Sequence, residues 1–106
     1  MTARDKEILQ QIAIKVRNVA PKSASVYLYG SRARGDNRKD SDWDLLILLD
    51  KEKITLSDID EVAYPIREMG WALGADINPI LYTKKEWKES SFTPFYKNVT
   101  EDSITL

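Results

Sequence analysis

Cysteine and histidine are both absent from the 106-residue chain. Without cysteine there is no disulfide, no thiolate nucleophile and no zinc–thiolate site, and this absence is compatible with a reducing cytoplasm. Without histidine, neither a Ser-His-Asp triad nor a histidine–metal centre can form. Any acid–base chemistry near neutral pH must therefore use carboxylates, lysine or a metal-bound group.

Long apolar runs and a large excess of one charge are also missing. No segment approaches the roughly 20 apolar residues that span a bilayer, and the N-terminus MTARDKEILQ lacks the apolar core of a signal peptide. We therefore expect a soluble cytoplasmic protein without membrane contact. The 16 Lys and Arg residues are balanced by 17 Asp and Glu residues, which weighs against general binding to nucleic-acid backbone.

The length and the 42% hydrophobic content suit one compact domain, residues 1–106. Helical periodicity and β-branched runs predict an α/β fold, a small mixed sheet flanked by helices. The predicted helices cover 3–19, about 57–72 and about 84–88, and the predicted strands cover 25–29, 43–50, 76–83 and the final DSITL.

Turn and cap residues refine these boundaries. Ser57 is the predicted N-cap of the second long helix, Pro65 predicts a kink within it, and Gly70 or Gly74 ends it. Pro79 has no N–H for a strand ladder and predicts an edge strand. The aromatic residues near the C-terminus, Phe92, Phe95 and Tyr96, and the tryptophans Trp43, Trp71 and Trp87 are expected in the core or an interface.

The candidate chemistry lies in two aspartates at the mouth of a buried strand. Asp42 and Asp44 flank Trp43, so they share one strand face about 7 Å apart along the backbone. Two carboxylates facing one spot repel each other unless a divalent cation lies between them. Oxygen-only ligands favour Mg²⁺ or Mn²⁺ over zinc.

The segment before these aspartates supplies a complementary anion site. The predicted strand 25–29 stops at Gly30, and a short helical turn from Ser31 would expose backbone N–H groups and a hydroxyl to a phosphate. Arg32 and Arg34 lie beside it and could reach phosphate oxygens. An anion site facing a dicarboxylate metal site suits the transfer of a phosphorus-centred group from a nucleoside triphosphate.

Asp76 is the candidate third carboxylate. It opens the strand after the long helix, on the expected face of Asn78, and would ligate a metal or take the proton of the attacking hydroxyl. Simpler roles stay open for these residues: Asp42, Asp44 and Asp76 are also typical turn residues, and mixed-charge loops are usually solvated.

The stretch GSRARGDNRKDSDWDLL resembles the signature of the minimal nucleotidyltransferases of the DNA polymerase β superfamily: Gly-Ser, a spacer, then Asp-x-Asp. DINPILYT is similar to the strand that carries that family's third aspartate, and TPFYKNVTEDSITL to its C-terminal segment. The resemblance implies a polymerase β palm-like fold with triphosphate bound at Gly30 and Ser31. It also implies catalytic metals on Asp42 and Asp44, with Asp76 as the third carboxylate.

The resemblance further implies a partner. Stand-alone cores of this family are commonly encoded with a HEPN-type protein in toxin–antitoxin systems, and some transfer AMP to a tyrosine of that toxin. We therefore expect an Mg²⁺-dependent, ATP-using protein adenylyltransferase that acts as an antitoxin, within a homo- or hetero-oligomer. Two alternatives stay open: nucleotidyl transfer to a small molecule or nucleic-acid end, and a non-catalytic nucleotide-binding antitoxin that acts by contact alone.

Overall fold

The computed structural model describes all 106 residues, which form one sheet with helices on both faces. The elements follow in the order α1 (Ala3–Val19), β1 (Ser25–Tyr29), α2 (Ser31–Arg34), β2 (Trp43–Leu49), α3 (Leu56–Asp58), a π-helical turn (Ile59–Ala63), α4 (Tyr64–Leu73), β3 (Ile77–Thr83), α5 (Lys84–Glu89), α6 (Pro94–Asp102) and β4 (Ile104–Thr105). No helix in the fold combines the length and the apolar character needed to cross a membrane.

The four strands lie in the order β3-β2-β1-β4. β1 runs antiparallel to β2 and β4, while β2 and β3 are parallel, so the sheet is mixed as predicted. β3 is an edge strand, as predicted from Pro79, and its pairing with β2 continues through that residue. The antiparallel β1–β2 pairing places the end of β1 beside the start of β2, where the predicted site residues lie.

Both faces of β2 are covered. Its odd-numbered residues from Trp43 to Leu49 join the larger core with α1 and α4, whereas Leu46 and Leu48 face a smaller cluster on the other side. Aromatic residues of β1, β3, α5 and α6 complete that smaller cluster. The long apolar run of β2 is therefore explained by burial on two faces.

The long predicted helix is interrupted, and it begins earlier than expected. Thr55, not Ser57, is the N-cap, because its side chain and that of Asp58 form a reciprocal capping box. Pro65 cannot donate to a carbonyl in the preceding turn, and the helix widens into the π-helical turn just before it. Gly74, in a left-handed conformation, ends the helix.

One prediction near the surface was wrong, since Phe92 is 86% exposed rather than a core residue. Trp71, predicted in the core or an interface, is 56% exposed on α4, which leaves the interface. Phe95 and Tyr96 do pack in the smaller cluster, but within α6, a helix that the sequence pattern did not reveal. Thr93 caps that helix and Pro94 begins it, a pair of residues typical of a helix start. The spacing of the aromatic residues does not by itself indicate a helix.

Candidate active site

Gly30 and Asp44 are in direct contact. The β1–β2 register sets Tyr29 opposite Asp44, so the next residue, Gly30, lies against the Asp44 carboxylate. Gly30 has φ +77° and ψ −161°, a region open almost only to glycine. A Cβ atom there would lie 2.6 Å from Asp44 Oδ2. The predicted anion-binding turn and the predicted metal-binding strand are therefore packed together through a position that requires glycine.

The two aspartates differ in environment. Asp42 is exposed, whereas Asp44 is half-buried. Burial raises the pKa of Asp44, and the negative charge of Asp42 raises it further. Hydrogen bonding to Asn78 and the positive charge of Arg34 act in the opposite direction without cancelling the rise. This paired negative charge fits a hard divalent cation, because oxygen ligands of this kind are those that Mg²⁺ prefers.

Ser31 begins the short helix α2, as predicted. Its carbonyl accepts hydrogen bonds from the N–H groups of Gly35 and Asp36, which closes the turn. N–H groups in the first turn of a helix have no partner within that helix. Gly35, at φ +86°, ends the turn in a left-handed conformation. Gly30 and Ser31 thus present backbone beside the two carboxylates.

Arg34 lies on the carboxylate side of this turn. Its guanidinium is 3.2 Å from Asp36 and 3.4 Å from Asp102 on α6. The side chain is 44% exposed, and its charge lowers the pKa of Asp44. Exposed ion pairs of this kind are weak. A phosphate group could therefore compete for Arg34 at little cost.

Arg32 makes a different set of contacts from those predicted. Its guanidinium donates to the backbone oxygens of Ser41 and Lys39 and to Asp5 Oδ1 on α1, at 2.9–3.1 Å. It also stacks over the Trp43 ring at 4.5 Å, and only 6% of the residue is exposed. Because these contacts occupy most of its donors, Arg32 holds the loop before β2 in place rather than facing a ligand.

Asp76 is not grouped with Asp42 and Asp44. No set of three or more carboxylates in the chain is arranged to hold a metal ion. Asp76 precedes β3, where its backbone oxygen accepts from the N–H of Trp43 at 2.8 Å. It borders a cavity of about 680 Å³ beside α1, which Arg32 and Trp43 also line and the other two aspartates do not.

Two polar residues in this region were not assigned a role from the sequence. Asn78 is the register partner of Asp44 in the parallel β2–β3 pairing. Arg67, on α4, donates to Asn78 Oδ1 at 3.0 Å. Eleven positions separate these two residues, and the π-helical turn that orients α4 has no simple sequence signature, so no local pattern indicates the contact.

Aromatic side chains form the other boundary of the site. Tyr29 packs edge-on against Phe95, with ring centroids 5.5 Å apart. Burial, followed by the charge of Asp44 and by Tyr82, raises the pKa of Tyr29 to about 12. The phenol therefore stays protonated at neutral pH beside the carboxylate pair.

Sequence comparison agrees with the geometry. A family model described as "Nucleotidyltransferase domain" matches residues 8–104, which is most of the chain. No curated protein matches the sequence.

Three solved structures have a similar fold. A toxin–antitoxin crystallised with AMP-PNP is 20% identical (TM-score 0.63), with 91% of this chain and 69% of that chain covered. A candidate nucleotidyltransferase from Sulfolobus solfataricus is 23% identical (TM-score 0.60; 99% and 87% covered). A toxin–antitoxin MntA–HpeT mutant carrying two aspartate-to-glutamate changes is 18% identical (TM-score 0.63; 91% and 69% covered). At these identities, the similarity establishes the fold.

Proposed function

Because the chain belongs to the nucleotidyltransferase domain family, we propose that residues 1–106 form a single Mg²⁺-dependent nucleotidyltransferase domain that modifies a partner protein. The observation that carries this proposal is the contact between Gly30 and the Asp44 carboxylate. It brings the turn proposed to bind phosphate into contact with the carboxylate proposed to bind the metal, which is the proximity that transfer from a triphosphate needs.

Gly30, Ser31 and Arg34 would hold the donor triphosphate. The backbone at Gly30 and Ser31 can approach phosphate oxygens closely, since Gly30 carries no side chain. Arg34 would exchange its exposed carboxylate partners for a phosphate. Arg32 would act indirectly, by fixing the loop that leads into Asp42.

Asp42 and Asp44 would hold the cation. When bound, Mg²⁺ would neutralise phosphate charge and orient the triphosphate. In the reaction the acceptor oxygen forms a bond to the α-phosphorus and the bond to the pyrophosphate leaving group breaks, while the hydroxyl proton passes to solvent or a carboxylate. Arg34 would stabilise the negative charge that gathers on the phosphates during this transfer.

The surface formed by α3, the π-helical turn and α4 suits the docking of a protein acceptor. Four large apolar side chains are exposed along α3, the π-helical turn and α4: Leu56, Ile59, Tyr64 and Trp71. Tyr64 and Trp71 pack edge to face on α4, with ring centroids 6.1 Å apart, and the same helix carries Arg67. Exposed apolar stripes of this kind are typical of protein interfaces. We infer that the partner docks here.

The structural neighbours suggest the identity of partner and donor. Two are toxin–antitoxins, and one of those was crystallised with AMP-PNP, an ATP analogue. The two aspartates changed in the mutant neighbour are separated by one position, as are Asp42 and Asp44. We propose that the chain is an antitoxin that transfers AMP from ATP to a tyrosine of a HEPN-type toxin, in the cytoplasm.

One observation favours a second candidate function. Asp42, Asp44 and Asp76 do not form a group of three carboxylates arranged to hold a metal ion. An incomplete ligand set would suit an antitoxin that binds nucleotide and neutralises its partner by contact alone.

The test is incubation of the chain with Mg²⁺, ATP labelled at the α-phosphate, and a purified HEPN-type partner. We expect label on the partner, and none with Asp42→Ala or Asp44→Ala. Asp50→Ala is the matched control, since Asp50 is exposed at the far end of β2. Transfer that survives both site substitutions would contradict the metal assignment. Suppression of the toxin by an Asp42→Ala/Asp44→Ala variant, without transfer, would favour the contact mechanism.

A further inference from the structure

The candidate site has two sides, because β2, which carries Asp44, lies between β1 and β3. Gly30 and Ser31, the turn proposed to hold the triphosphate, follow β1 on one side. On the other side Asn78 of β3 is the register partner of Asp44. In transfer from a triphosphate the attacking and leaving oxygens lie roughly in line across phosphorus. With the triphosphate on the β1 side, we therefore expect the acceptor hydroxyl to enter from the β3 side.

Arg67 is a cation on the β3 side of the site. It extends from α4 and donates one hydrogen bond, from Nη2 to Asn78 Oδ1, at 3.0 Å. None of the four ion pairs in the fold includes Arg67, whereas Arg32 and Arg34 both pair with carboxylates of the chain. A guanidinium carries five N–H donors, and this one has a single acceptor. The half-buried Arg67 therefore keeps both donors and an unneutralised charge for a ligand.

Two exposed aromatic side chains flank Arg67 on α4. Tyr64 lies three positions before it and Trp71 four positions after it, which is the spacing of one helix face. The contact between the two aromatic rings, with centroids 6.1 Å apart, confirms that they share this face, and the residues are 49% and 56% exposed. Tyrosine, tryptophan and arginine are the residues that most often carry the binding energy of protein interfaces. This face of α4 therefore connects a protein-binding surface to the β3 side of the site.

We propose that Arg67 recognises an acidic side chain next to the acceptor tyrosine of the partner protein, while Tyr64 and Trp71 contact the partner's apolar surface. This role rests on the proposed function, because it concerns the acceptor of the same reaction. A partner that covers the two aromatic rings would also remove water from Arg67, and a desolvated charge is costly unless it is paired. A carboxylate can accept two parallel N–H bonds from the guanidinium, whereas a basic side chain would be repelled.

Two synthetic tyrosine peptides, identical except for Glu-Tyr-Glu in one and Lys-Tyr-Lys in the other, test this preference. Each is incubated with the chain, Mg²⁺ and ATP labelled at the α-phosphate. We expect the wild-type chain to modify the acidic peptide with a kcat/KM about tenfold higher, mainly through a lower KM, since one charge-assisted contact is gained.

Substitutions of Arg67 should change the preference according to their charge. Arg67→Lys should keep it, Arg67→Gln should abolish it, and Arg67→Glu should reverse it in favour of the basic peptide. Arg17→Glu is the matched control, because it makes the same change of charge at an exposed position on α1 and should keep the wild-type preference. Melting curves verify that each variant is folded.

Equal kcat/KM for the two peptides with the wild-type chain would overturn this role of Arg67 and leave the proposed function intact. Weaker AMP-PNP binding by folded Arg67→Gln would also overturn it, because Arg67 would then contact the donor. Labelling of a purified HEPN-type partner but of neither peptide would overturn it too, since a flanking charge would not be what is recognised. If the wild-type chain bound no AMP-PNP and labelled neither the partner nor the peptides, the proposed function itself would fail.

Discussion

Replacing Gly30 by alanine should damage the candidate site in two separable ways. The first is backbone strain, because φ +77° with ψ −161° is a region that residues with a Cβ rarely adopt. Strain of this kind costs about 1–3 kcal/mol of unfolding free energy. In a domain of this size, each kcal/mol lowers the melting temperature by about 4–8 °C.

The second effect is displacement of Asp44. A Cβ at Gly30 would lie 2.6 Å from Asp44 Oδ2, closer than the 3.0 Å that real Cβ contacts respect, so the carboxylate must move by at least about 0.4 Å. Metal–ligand distances tolerate about 0.2 Å. We therefore expect Mn²⁺ affinity to fall at least tenfold and nucleotidyl transfer about 100-fold.

Gly35→Ala is the matched control. Gly35 also has a positive φ, +86°, but a Cβ there meets nothing within 4 Å. The Gly35→Ala substitution should lower the free energy of unfolding by about 1–2 kcal/mol and leave Mn²⁺ binding unchanged. Thermal melting and Mn²⁺ titration of both variants test the reasoning. Normal Mn²⁺ affinity in folded Gly30→Ala, or equal loss in Gly35→Ala, would refute the claim that this contact builds the site.

Three further variants probe separate parts of the molecule. Asp44→Asn should stabilise the metal-free chain at neutral pH, because the pKa of Asp44 is raised in the fold and its contribution to stability, present at low pH, is lost as pH rises through that pKa. The same substitution should abolish stabilisation by Mg²⁺ in melting curves. Arg32→Met should cost about 3 kcal/mol in denaturant unfolding, with Arg32→Lys only partly restoring it, because a buried network is broken; a normal midpoint with weaker ATP binding would instead make Arg32 a ligand. Trp71→Ser should abolish capture of the partner and leave AMP-PNP binding unchanged. Phe92→Ser, which removes another exposed aromatic side chain, should leave both unchanged. Equal effects of the two substitutions on partner capture would argue against docking on α4.

The sequence predicted the part of the fold that depends on local pattern. The bounds of α1 and β1 follow from periodicity and Pro21, and the turn at Gly30-Ser31 follows from glycine chemistry. The start of the interrupted helix was missed, because Thr55 and Asp58 form a capping box that competes with the apparent signal at Ser57. A local capping pattern predicts the start of a helix reliably only where no second capping pattern lies nearby.

The alternation of side chains along one strand predicted part of the site, whereas contacts between different helices and strands could not be predicted from the sequence. The shared face of Asp42 and Asp44 follows from strand spacing, and the contact of Asp44 with Gly30 follows from antiparallel pairing. Asp76 and Asn78 share a strand face, so alternation alone did not indicate which of them would be the partner of Asp44, and the β2–β3 register makes it Asn78. The direction of Arg32 depended on Asp5, 27 positions away on α1. Such long-range contacts leave no trace in local spacing.

The lack of histidine and the nearby tyrosine together bear on the proposed acceptor. With no histidine to take the proton of the attacking hydroxyl, an acceptor that ionises readily has an advantage. A phenol, with a pKa of about 10, is far more acidic than an aliphatic hydroxyl. Tyr29 is beside Asp44 but has its pKa raised to about 12 by burial and that charge, which disfavours it as an acceptor. The chemistry therefore favours a phenol presented by another protein, away from the burial that keeps Tyr29 protonated.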